Sequence, residues 1–382
     1  MENTSHPGTF IGSMQSRPLK VMTIIGARPQ FIKASAVSAA FKAHGRFQEL
    51  VVNTGQHYDD NMSQIFFSEL GMDPPAFNLN IGSGPHGAQT GAMMTQIEQV
   101  VLEQKPDWIL IYGDTNSTLA GALVGAKLHV PVAHVEAGLR SFNRLMPEEI
   151  NRIVSDHVSE LLFAPTIVAV NHLANEGISG EKVIQSGDVM YDVALAAKAR
   201  IGDSTSLLTK LGVEAEKFVL ATVHRAENTD SPDRLCAIIE GLVKVAQTIP
   251  VVLPLHPRTR KLLADSGLGA ELESSVKVID PVGYYDMVRL ESSAAVVATD
   301  SGGVQKEAYF YEVPCVTLRT ETEWVELVDL GWNRIVPPLD SDNIRTQVIE
   351  AIGTRGEDQK PYGDGSAASI IVEALVQHSL VG

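Results

Sequence analysis

The sequence is poor in cysteine, in long apolar runs and in basic residues, and each shortage excludes a class of protein. Its two cysteines, Cys236 and Cys315, lie far apart in apolar surroundings. That placement predicts buried thiols in a reducing cytoplasm and argues against a disulfide framework. No apolar run approaches the roughly 18 residues of a membrane span. The 30 lysines and arginines against 46 acidic residues give a net charge of -16, which argues against nucleic acid and membranes as partners.

Familiar cofactor motifs are missing as well. Neither G-x-G-x-x-G nor G-x-x-x-x-G-K-[ST] occurs, so neither a dinucleotide site nor a P-loop is predicted. No residues have the spacing of metal ligands, and we expect no metal and no cofactor. Because the chain is acidic, an anionic ligand would require the few basic residues to be gathered in one place.

What the chain does contain is a regular alternation of short apolar runs and helical patterns, which is typical of doubly wound parallel sheets. Its 382 residues also exceed what one core usually holds. We therefore predict an α/β fold of two Rossmann-like domains whose parallel sheets face a central cleft. The predicted bounds are a disordered tail at 1–19, a first domain at 20–195, a linker at 196–216, a second domain at 217–365 and a final helix at 366–382.

The predicted strands are short, apolar and rich in β-branched residues. They cover 19–25, 49–53, 108–112, 131–135 and 161–164 in the first domain, and 218–223, 251–253, 276–279, 295–298 and 315–318 in the second. Helical patterns end at residues 41 and 70 and then cover 88–104, 116–128, 148–159 and 367–378. The final helix could pack on either domain. In such sheets ligands bind at the carboxyl ends of the strands, and those ends are where polar residues stand in this sequence.

Carboxylates stand at two of these strand ends. Glu136 follows the strand 131–135, and Glu148 and Glu149 begin the next helix, where the helix dipole favours anions. Asp114 follows the strand before. Each of them could simply cap a helix. We interpret Glu149 as such a cap, and Glu136, Glu148 and Asp114 as a group that carries chemistry.

Basic residues stand at the strand ends of both domains. Arg28 follows the first strand and could offer a planar fork of donors to phosphate. His224 and Arg225 follow the first strand of the second domain, and His256 follows the next one. The alternative for Arg28 is an ordinary βα turn, and for a lone histidine a structural role. Two basic strand ends in one domain of an acidic protein nevertheless favour phosphate binding.

A glycine-rich turn adds a second phosphate-binding feature. Ser301, Gly302 and Gly303 would place backbone amides at a helix N-terminus, which attracts anions. Glu307, one turn into that helix, could accept hydrogen bonds from ribose hydroxyls. The alternative is a plain glycine turn. Carboxylates in one domain and phosphate-binding groups in the other suggest a phosphorylated donor lying across the cleft, so the residues predict a nucleotide-sugar enzyme but not its reaction.

Several long motifs occur in order and make the chain recognisable. They are GARPQFIK at 26–33, TGQHYD at 54–59, YGDTNST at 112–118, HVEAGLR at 134–140, MPEEINR at 146–152, VHRAEN at 223–228 and TDSGGVQKEA at 299–308. From residue 21 to about 353 the chain resembles the non-hydrolysing UDP-N-acetylglucosamine 2-epimerases. The resemblance implies a glycosyltransferase-B type fold, UDP in the cleft, a homodimer, and interconversion of UDP-GlcNAc and UDP-ManNAc for surface polysaccharide synthesis.

The resemblance also implies a mechanism. UDP is eliminated across C1 and C2 to leave a 2-acetamidoglucal, and is then re-added with a proton on the opposite face of C2. Asp114, Glu136 and Glu148 match the acid/base carboxylates, and His224 matches the histidine that assists the diphosphate. The positions matched to UDP are Arg28, Lys33, Arg225, Ser301, Gly302, Gly303 and Glu307, with His256 and Arg319 as further substrate-binding candidates. Since no carbonyl acidifies the C2 proton, its removal must be coupled to loss of UDP.

Two stretches depart from the usual family pattern. Gly26-Ala-Arg-Pro-Gln30 stands where many members have Gly-Thr-Arg-Pro-Glu, and Thr322-Glu-Trp-Val-Glu326 where they have Thr-Glu-Arg-Pro-Glu. Tyr58 and Asp59 also replace residues of an allosteric UDP-GlcNAc site. With these changes the chain resembles the branch of the family that acts on UDP-2,3-diacetamido-2,3-dideoxy-glucuronate. The sugar of that substrate carries a carboxylate, which would need an added basic contact, and Arg140 and Arg144 are the candidates.

Two other functions are possible on the same fold. A glycosyltransferase would release UDP only with an acceptor, and it explains poorly why three carboxylates gather at the sugar end. A catalytically idle UDP-sugar sensor would not need Asp114, Glu136, Glu148 and His224 together. The epimerase is therefore the preferred hypothesis.

Overall fold

The computed structural model describes residues 17–56, 71–202, 204–255, 257–267 and 269–381. The predicted helix ending at residue 70 and most of the predicted tail lie outside these ranges. Arg17 donates hydrogen bonds to both carboxylate oxygens of Asp107, at 2.6 and 2.8 Å. The first strand begins at Leu19, so residue 19 belongs to the first sheet and not to a tail.

The strands in the described residues are β1 (Leu19–Ile25), β2 (Phe47–Asn53), β3 (Phe77–Asn78), β4 (Trp108–Tyr112), β5 (Val132–Val135), β6 (Leu161–Ala164), β7 (Val183–Gln185), β8 (Val219–Thr222), β9 (Val251–Pro254), β10 (Lys277–Ile279), β11 (Val296–Thr299), β12 (Cys315–Thr317) and β13 (Asn333–Ile335). The helices in the same residues are α1 (Arg28–His44), α2 (His86–Gln104), α3 (Asn116–Leu128), α4 (Pro147–Val158), α5 (Ile167–Asn175), α6 (Val189–Ile201), α7 (Ser206–Leu211), α8 (Ala226–Thr229), α9 (Pro232–Ala246), α10 (Pro257–Ser266), α11 (Gly269–Ser275), α12 (Tyr284–Ser293), α13 (Gly302–Phe310), α14 (Val325–Asp329), α15 (Ser341–Ala351) and α16 (Ala367–Val381). None of these helices combines the length and hydropathy that crossing a membrane requires.

The strands form two parallel sheets. In the described part of the chain the first has the order β3-β2-β1-β4-β5-β6-β7, and the second has the order β10-β9-β8-β11-β12-β13. In both sheets the strand order reverses beside the first strand, between β1 and β4 and between β8 and β11. Such switch points open a crevice at the carboxyl ends of the strands, where ligands bind. The predicted pair of Rossmann-like α/β domains is confirmed.

The central strands form because their side chains are buried on both faces of the sheet. Every residue of β4, β5, β6, β8 and β11 is buried, as expected for a parallel sheet covered by helices on both sides. The sequence did not predict the edge strands β3, β7 and β13. They are only two or three residues long and partly exposed, so their hydrophobic signal is weak.

The segment that the sequence predicts to be a linker, 196–216, is largely helical. It contains the last turns of α6 and all of α7. Val189, at the start of α6, packs in the core of the first domain. Ala194 and Ala197, further along the same helix, pack in the core of the second. A bridging helix therefore connects the two sheets.

The final helix packs on the first domain, which the sequence left open. Ile371, Val372 and Leu375 are buried in the same core as Val21 and Phe31. The start of the helix is held by Asp192 of α6, whose carboxylate accepts hydrogen bonds from the backbone amides of Ala367 (3.2 Å) and Ala368 (2.9 Å). The C-terminal end of the chain thus returns to the first sheet.

We expect Gly125→Ala to destabilise the fold. A Cβ atom at Gly125 in α3 would overlap Val132 Cγ2 and lie 3.2 Å from the Val130 carbonyl oxygen. Overpacking of this kind costs about 1–3 kcal/mol of unfolding free energy. The matched control is Gly91→Ala in α2, where nothing lies within 4 Å of the added Cβ. Because alanine favours helices more than glycine does, this variant should unfold at the same or a higher urea concentration than the wild type. Urea unfolding of both variants tests this, and equal effects would contradict the expectation.

Candidate active site

The catalytic candidates of the first domain follow two neighbouring strands. Tyr112 of β4 pairs with Val135 of β5, so Asp114 and Glu136 emerge at adjacent strand ends. Gly113 has a φ of +65°, and a Cβ atom there would lie 3.2 Å from Glu136 Oε2. The absence of a side chain at Gly113 therefore lets the Glu136 carboxylate lie against the end of β4.

Glu136 is held in place by a cation from α1. Its backbone has a φ of +70°, a strained conformation for a residue with a side chain and one that is common at functional sites. Lys33 donates a hydrogen bond to Glu136 Oε2 within an ion pair, and both side chains are largely buried. Burial raises the pKa of the Glu136 carboxyl, but Lys33 and Lys306 outweigh it and bring the pKa below its usual value. Glu136 is therefore ionised at neutral pH.

Asp114 is fixed by α4. Arg152 forms an ion pair with Asp114 Oδ2 and also donates to Glu149 Oε2 at 2.9 Å. Asn151 donates from its side chain to the backbone carbonyl of Asp114 at 2.8 Å. The helix that begins at Pro147 thus fixes both the backbone and the carboxylate of Asp114, although 37 residues separate Asn151 from it.

Glu149 anchors the loop before α4. Its carboxylate accepts hydrogen bonds from the backbone amides of Ser141 and Phe142, both at 2.9 Å, and from the Ser141 hydroxyl at 3.0 Å. The prediction that Glu149 is only a helix cap is wrong, because these donors belong to the loop. Glu148, beside it, is half-buried, and no hydrogen bond or ion pair reaches its carboxylate from the described residues.

In the second domain a buried aspartate organises the basic turn after β8. Asp300 is completely buried. Its carboxylate accepts hydrogen bonds from the backbone amides of His224 and Arg225, at 3.1 Å each, and from the Asn228 side chain at 3.1 Å. The His224 imidazole, half exposed, lies 3.5 Å from the same carboxylate. Asp300 therefore sets the position of His224 and Arg225 relative to β11.

The N-terminus of α13 lies beside two arginines. Ser301 caps the helix by accepting a hydrogen bond from the Val304 amide at 3.5 Å. A Cβ atom on Gly302 would lie 3.4 Å from an Arg225 guanidinium nitrogen. Arg225 and Arg319 share Glu323 as a partner, at 3.5 and 2.8 Å. Arg225, Arg319 and the backbone amides at the helix N-terminus together suit the binding of an anion.

One turn further along α13, Glu307 shares its surroundings with a second buried glutamate. Desolvation raises the pKa of Glu307 to about 7, although Lys306 opposes it. Glu291 of α12 is fully buried, and its carboxyl oxygens have no hydrogen-bond partner among the described residues. Desolvation and the neighbouring Glu307 raise the pKa of Glu291 well above its usual value. Burial therefore favours the neutral form of Glu291, and Glu307 titrates near pH 7.

A buried ion pair joins the two half-sites. Lys306 of α13 pairs with Asp188 at the start of α6, with side chains only 7% and 2% exposed. The ammonium group of Lys306 also lies 4.2 Å from the centre of the Trp324 ring. Since Asp188 follows β7 of the first sheet, this pair holds α13 and its N-terminal anion site against the carboxyl end of that sheet.

With this geometry in hand, the chain can be compared with known proteins. The family model of UDP-N-acetylglucosamine 2-epimerase matches residues 39–376. The chain belongs to this family.

Similar proteins support the same assignment over nearly the whole chain. The UDP-2,3-diacetamido-2,3-dideoxy-D-glucuronate 2-epimerase of Pseudomonas aeruginosa is 52% identical, covering 94% of this chain and 100% of that protein. The UDP-N-acetylglucosamine 2-epimerase of Methanocaldococcus jannaschii is 42% identical, covering 94% and 99%. A crystal structure of the M. jannaschii enzyme in complex with UDP-GlcNAc and UDP has a TM-score of 0.80 at 41% identity and covers 94% of this chain and 100% of that one. The resemblance inferred from the motifs, and with it the isomerase class and the fold, is confirmed.

Several predicted site residues of this family member lie together in the structure. Asp114, Glu136 and Lys33 meet at the ends of β4 and β5, and Glu148 starts the helix that holds Asp114. His224, Arg225, Ser301, Gly302, Gly303 and Arg319 surround the start of α13, with Glu307 one turn inside it. The side chain of Arg28 and the whole of His256 lie outside the described residues.

The expectation that Arg140 contacts the sugar does not fit the structure. Its guanidinium is buried and pairs with Asp156 and Glu176, each at 2.7 Å, and it also donates to the Leu139 carbonyl at 2.7 Å. These partners occupy the side chain within the first domain. Arg144, by contrast, is exposed on the loop that Glu149 anchors.

Four supporting residues were missed by sequence reasoning. They are Arg152, Asp188, Asp300 and Lys306. Arg152 and Asp300 lie within recognised motifs and had a signal, because charged residues beside catalytic positions need partners. Lys306 also lies within a recognised motif, but its partner Asp188 gave no signal, since 118 residues separate the two side chains. No three histidine, cysteine or acidic side chains of the described chain are grouped as a metal ion requires.

We expect Lys306→Met to be strongly destabilising, because it leaves Asp188 buried without a cation. Removing one partner of a buried pair costs about 3–5 kcal/mol of unfolding free energy. The double variant Asp188→Asn/Lys306→Met should recover most of this loss, since asparagine keeps the hydrogen bond to the Met190 amide without the charge. Lys217→Met, which breaks the exposed pair with Glu214, is the control and should change little. If urea unfolding shows a lower free energy of unfolding for the double variant than for Lys306→Met, this account is contradicted.

Proposed function

We propose that this protein is a non-hydrolysing UDP-sugar 2-epimerase that inverts C2 by eliminating and re-adding UDP. The observation that carries the proposal is the buried ion pair between Lys306 and Asp188, which holds α13 and its anion site against the carboxyl end of the first sheet, where Glu136 lies. A sugar linked to a diphosphate would reach from the helix N-terminus of α13 to the carboxylates. Membership of the epimerase family supports this reading.

In the proposed reaction a carboxylate removes the C2 proton while the bond from C1 to the diphosphate oxygen breaks. The electron pair of the C–H bond becomes the C1=C2 double bond, and the pair of the C–O bond leaves with UDP. UDP then re-adds at C1 while a proton arrives at the opposite face of C2. Glu136 suits the role of base because it is ionised, and we assign Asp114 and Glu148 as the further acid/base carboxylates. His224, Arg225 and the amides of α13 stabilise the leaving diphosphate.

Two sugars are candidates, and the comparisons change their order. The sequence favoured UDP-GlcNAc, but identity is 52% to a UDP-2,3-diacetamido-2,3-dideoxy-D-glucuronate 2-epimerase and 42% to a UDP-N-acetylglucosamine 2-epimerase. We therefore propose the diacetamido uronate as substrate, with UDP-GlcNAc second, for a pathway of surface polysaccharide synthesis. Arg140 is occupied by its carboxylate partners, so Arg144 is the remaining candidate of the two to contact the sugar carboxylate.

Deuterium exchange tests the reaction and the sugar together. The protein is incubated in deuterated water with each of the two UDP-sugars, and deuterium at C2 is measured by mass spectrometry and NMR. We expect incorporation with the uronate, and less or none with UDP-GlcNAc. Exchange with neither sugar would overturn the epimerase proposal. UDP release that requires an acceptor sugar would support the glycosyltransferase in its place.

We expect Glu136→Gln to lower C2 exchange by a factor of about 100 or more, the usual scale for losing an acid/base group. UDP affinity should be largely retained, because most of the proposed UDP contacts, from Arg225 to Glu307, lie in the second domain. Glu98→Gln, on the exposed face of α2, is the matched control and should exchange like the wild type. Exchange and calorimetric UDP binding are measured on both variants. Undiminished exchange in Glu136→Gln would remove this residue from the mechanism.

We expect UDP affinity to rise with pH as Glu307 ionises, because an ionised carboxylate accepts ribose hydroxyl hydrogen bonds more strongly than a neutral one. The transition should lie near the pKa of about 7. Since UDP itself titrates, the decisive measurement is the difference between wild type and Glu307→Gln in calorimetric titrations across that range. Identical pH dependence in the two proteins would contradict a ribose contact from Glu307.

We also propose that the protein acts as a homodimer in the cytoplasm. The family resemblance supports the dimer, and the two unpaired thiols of Cys236 and Cys315 fit a reducing compartment. Sedimentation equilibrium measures the mass in solution directly, and a monomer at micromolar concentration would overturn the dimer.

A further inference from the structure

A histidine and an aspartate beneath the carboxylates play no part in the proposed reaction. His134 of β5 and Asp156 of α4 are both completely buried, with side chains 0% exposed. His134 Nδ1 lies 2.7 Å from Asp156 Oδ1, and His134 Nε2 lies 2.7 Å from the backbone carbonyl oxygen of Gly113. Short hydrogen bonds of this kind in a buried place orient both partners strongly.

The pair contacts the chain next to each catalytic carboxylate. Gly113 immediately precedes Asp114, and His134 lies two residues before Glu136. The second oxygen of Asp156 accepts a hydrogen bond from the Gly138 amide at 3.1 Å, two residues after Glu136. Asp156 itself lies on α4, the helix that begins beside Glu148. One buried contact therefore links the end of β4, the end of β5 and α4.

The partners also decide which atoms carry protons. A backbone carbonyl only accepts, so Nε2 of His134 must donate to Gly113. Burial raises the pKa of Asp156, but His134 and Arg140 outweigh it and lower the pKa below the usual value, which keeps this carboxylate an acceptor. Nδ1 of His134 must then donate as well. Both ring nitrogens hold protons, and Asp156 balances the resulting charge together with that of Arg140, 2.7 Å away.

We propose that His134 and Asp156 are a positioning pair for the epimerisation, in which the ring of His134 donates from both nitrogens and fixes the mutual placement of Asp114, Glu136 and Glu148. The inference rests on the proposed function, because the placement of the three carboxylates matters only if they act on the sugar. It assigns no contact with the sugar to either His134 or Asp156. A base misplaced by about 1 Å can lose on the order of 100-fold in rate. The UDP contacts of the second domain do not depend on this pair, so its loss should affect turnover and spare UDP binding.

The experiment compares His134→Gln and His134→Leu with the wild type. Glutamine can donate from one nitrogen and can serve one of the two acceptors, whereas leucine serves neither. We expect C2 exchange at saturating sugar to fall about 10- to 100-fold in His134→Gln and further in His134→Leu, with unchanged UDP affinity by calorimetry. The control is Asp192→Asn, which weakens a part-buried contact, the cap of α16, away from the three carboxylates. It should lose stability but keep the wild-type rate.

The outcomes separate this inference from the proposed function. A wild-type protein without C2 exchange would overturn the proposed function. A wild type that exchanges, together with a folded His134→Gln variant that exchanges equally well, would overturn the positioning pair. So would equal loss of rate in Asp192→Asn, since that would trace the effect to stability alone.

A measurement on the unmutated protein covers the case in which the variants do not fold. In a sample labelled with ¹⁵N-histidine, the ring protons of His134 should exchange slowly with water, because among the described histidines only this one is fully buried. NMR should show a proton on both of its ring nitrogens in the folded protein. A signal from an unprotonated ring nitrogen at this residue would overturn the inference.

Discussion

The ion pair between Lys33 and Glu136 is the constraint on which the rest of the site depends. It connects α1, which follows β1, to the end of β5, two strands away across β4. A largely buried carboxylate on a strained backbone is unfavourable by itself, and the lysine offsets this only if the sheet order β1-β4-β5 is kept. Gly113, at the end of the middle strand, leaves room for the pair. Fold and site therefore specify each other here.

Other acids near the site are paired with cations in the same way. Asp114 has Arg152, Asp188 has Lys306 and Asp156 has Arg140. The pairing also sets a pH limit. Because the folded-state pKa of Glu136 is lowered, the pair contributes stability above the unfolded-state pKa, and this stability is lost as the pH falls through the lowered value.

Much of the fold was predictable because the central strands are buried on both faces and read as continuous apolar runs. β1, β4 and β6 have the predicted bounds, while the short edge strands gave no usable signal. At the site, the strand-end residues were predicted because parallel strands bring their carboxyl ends together. The structural ion pair of Arg140 was not predicted, since its carboxylate partner Glu176 lies 36 residues further along the chain. Long-range charge pairing is a tertiary property, and no local pattern reveals it.

The structure explains the two departures from the family pattern at Gln30 and Trp324. These explanations bear on which residues determine the specificity for the sugar. Gln30 uses both ends of its amide: its oxygen accepts from the Gly26 amide at 2.8 Å and its nitrogen donates to the Tyr112 carbonyl at 2.8 Å. A glutamate there could accept but, when ionised, could not donate, so this glutamine ties β1 to β4 at the switch point.

Trp324, the centre of the second departure, donates from its indole to the Gly302 carbonyl at 2.8 Å and lies under the ammonium group of Lys306. It therefore supports the start of α13 and the ion pair between the domains. Both departures therefore support the framework around the site. The loop that Glu149 anchors beside Arg152 and Asp114 is then the better place to look for a contact with the carboxylate of a uronate sugar, because its exposed Arg144 is not committed to the framework in the way that Arg140 is.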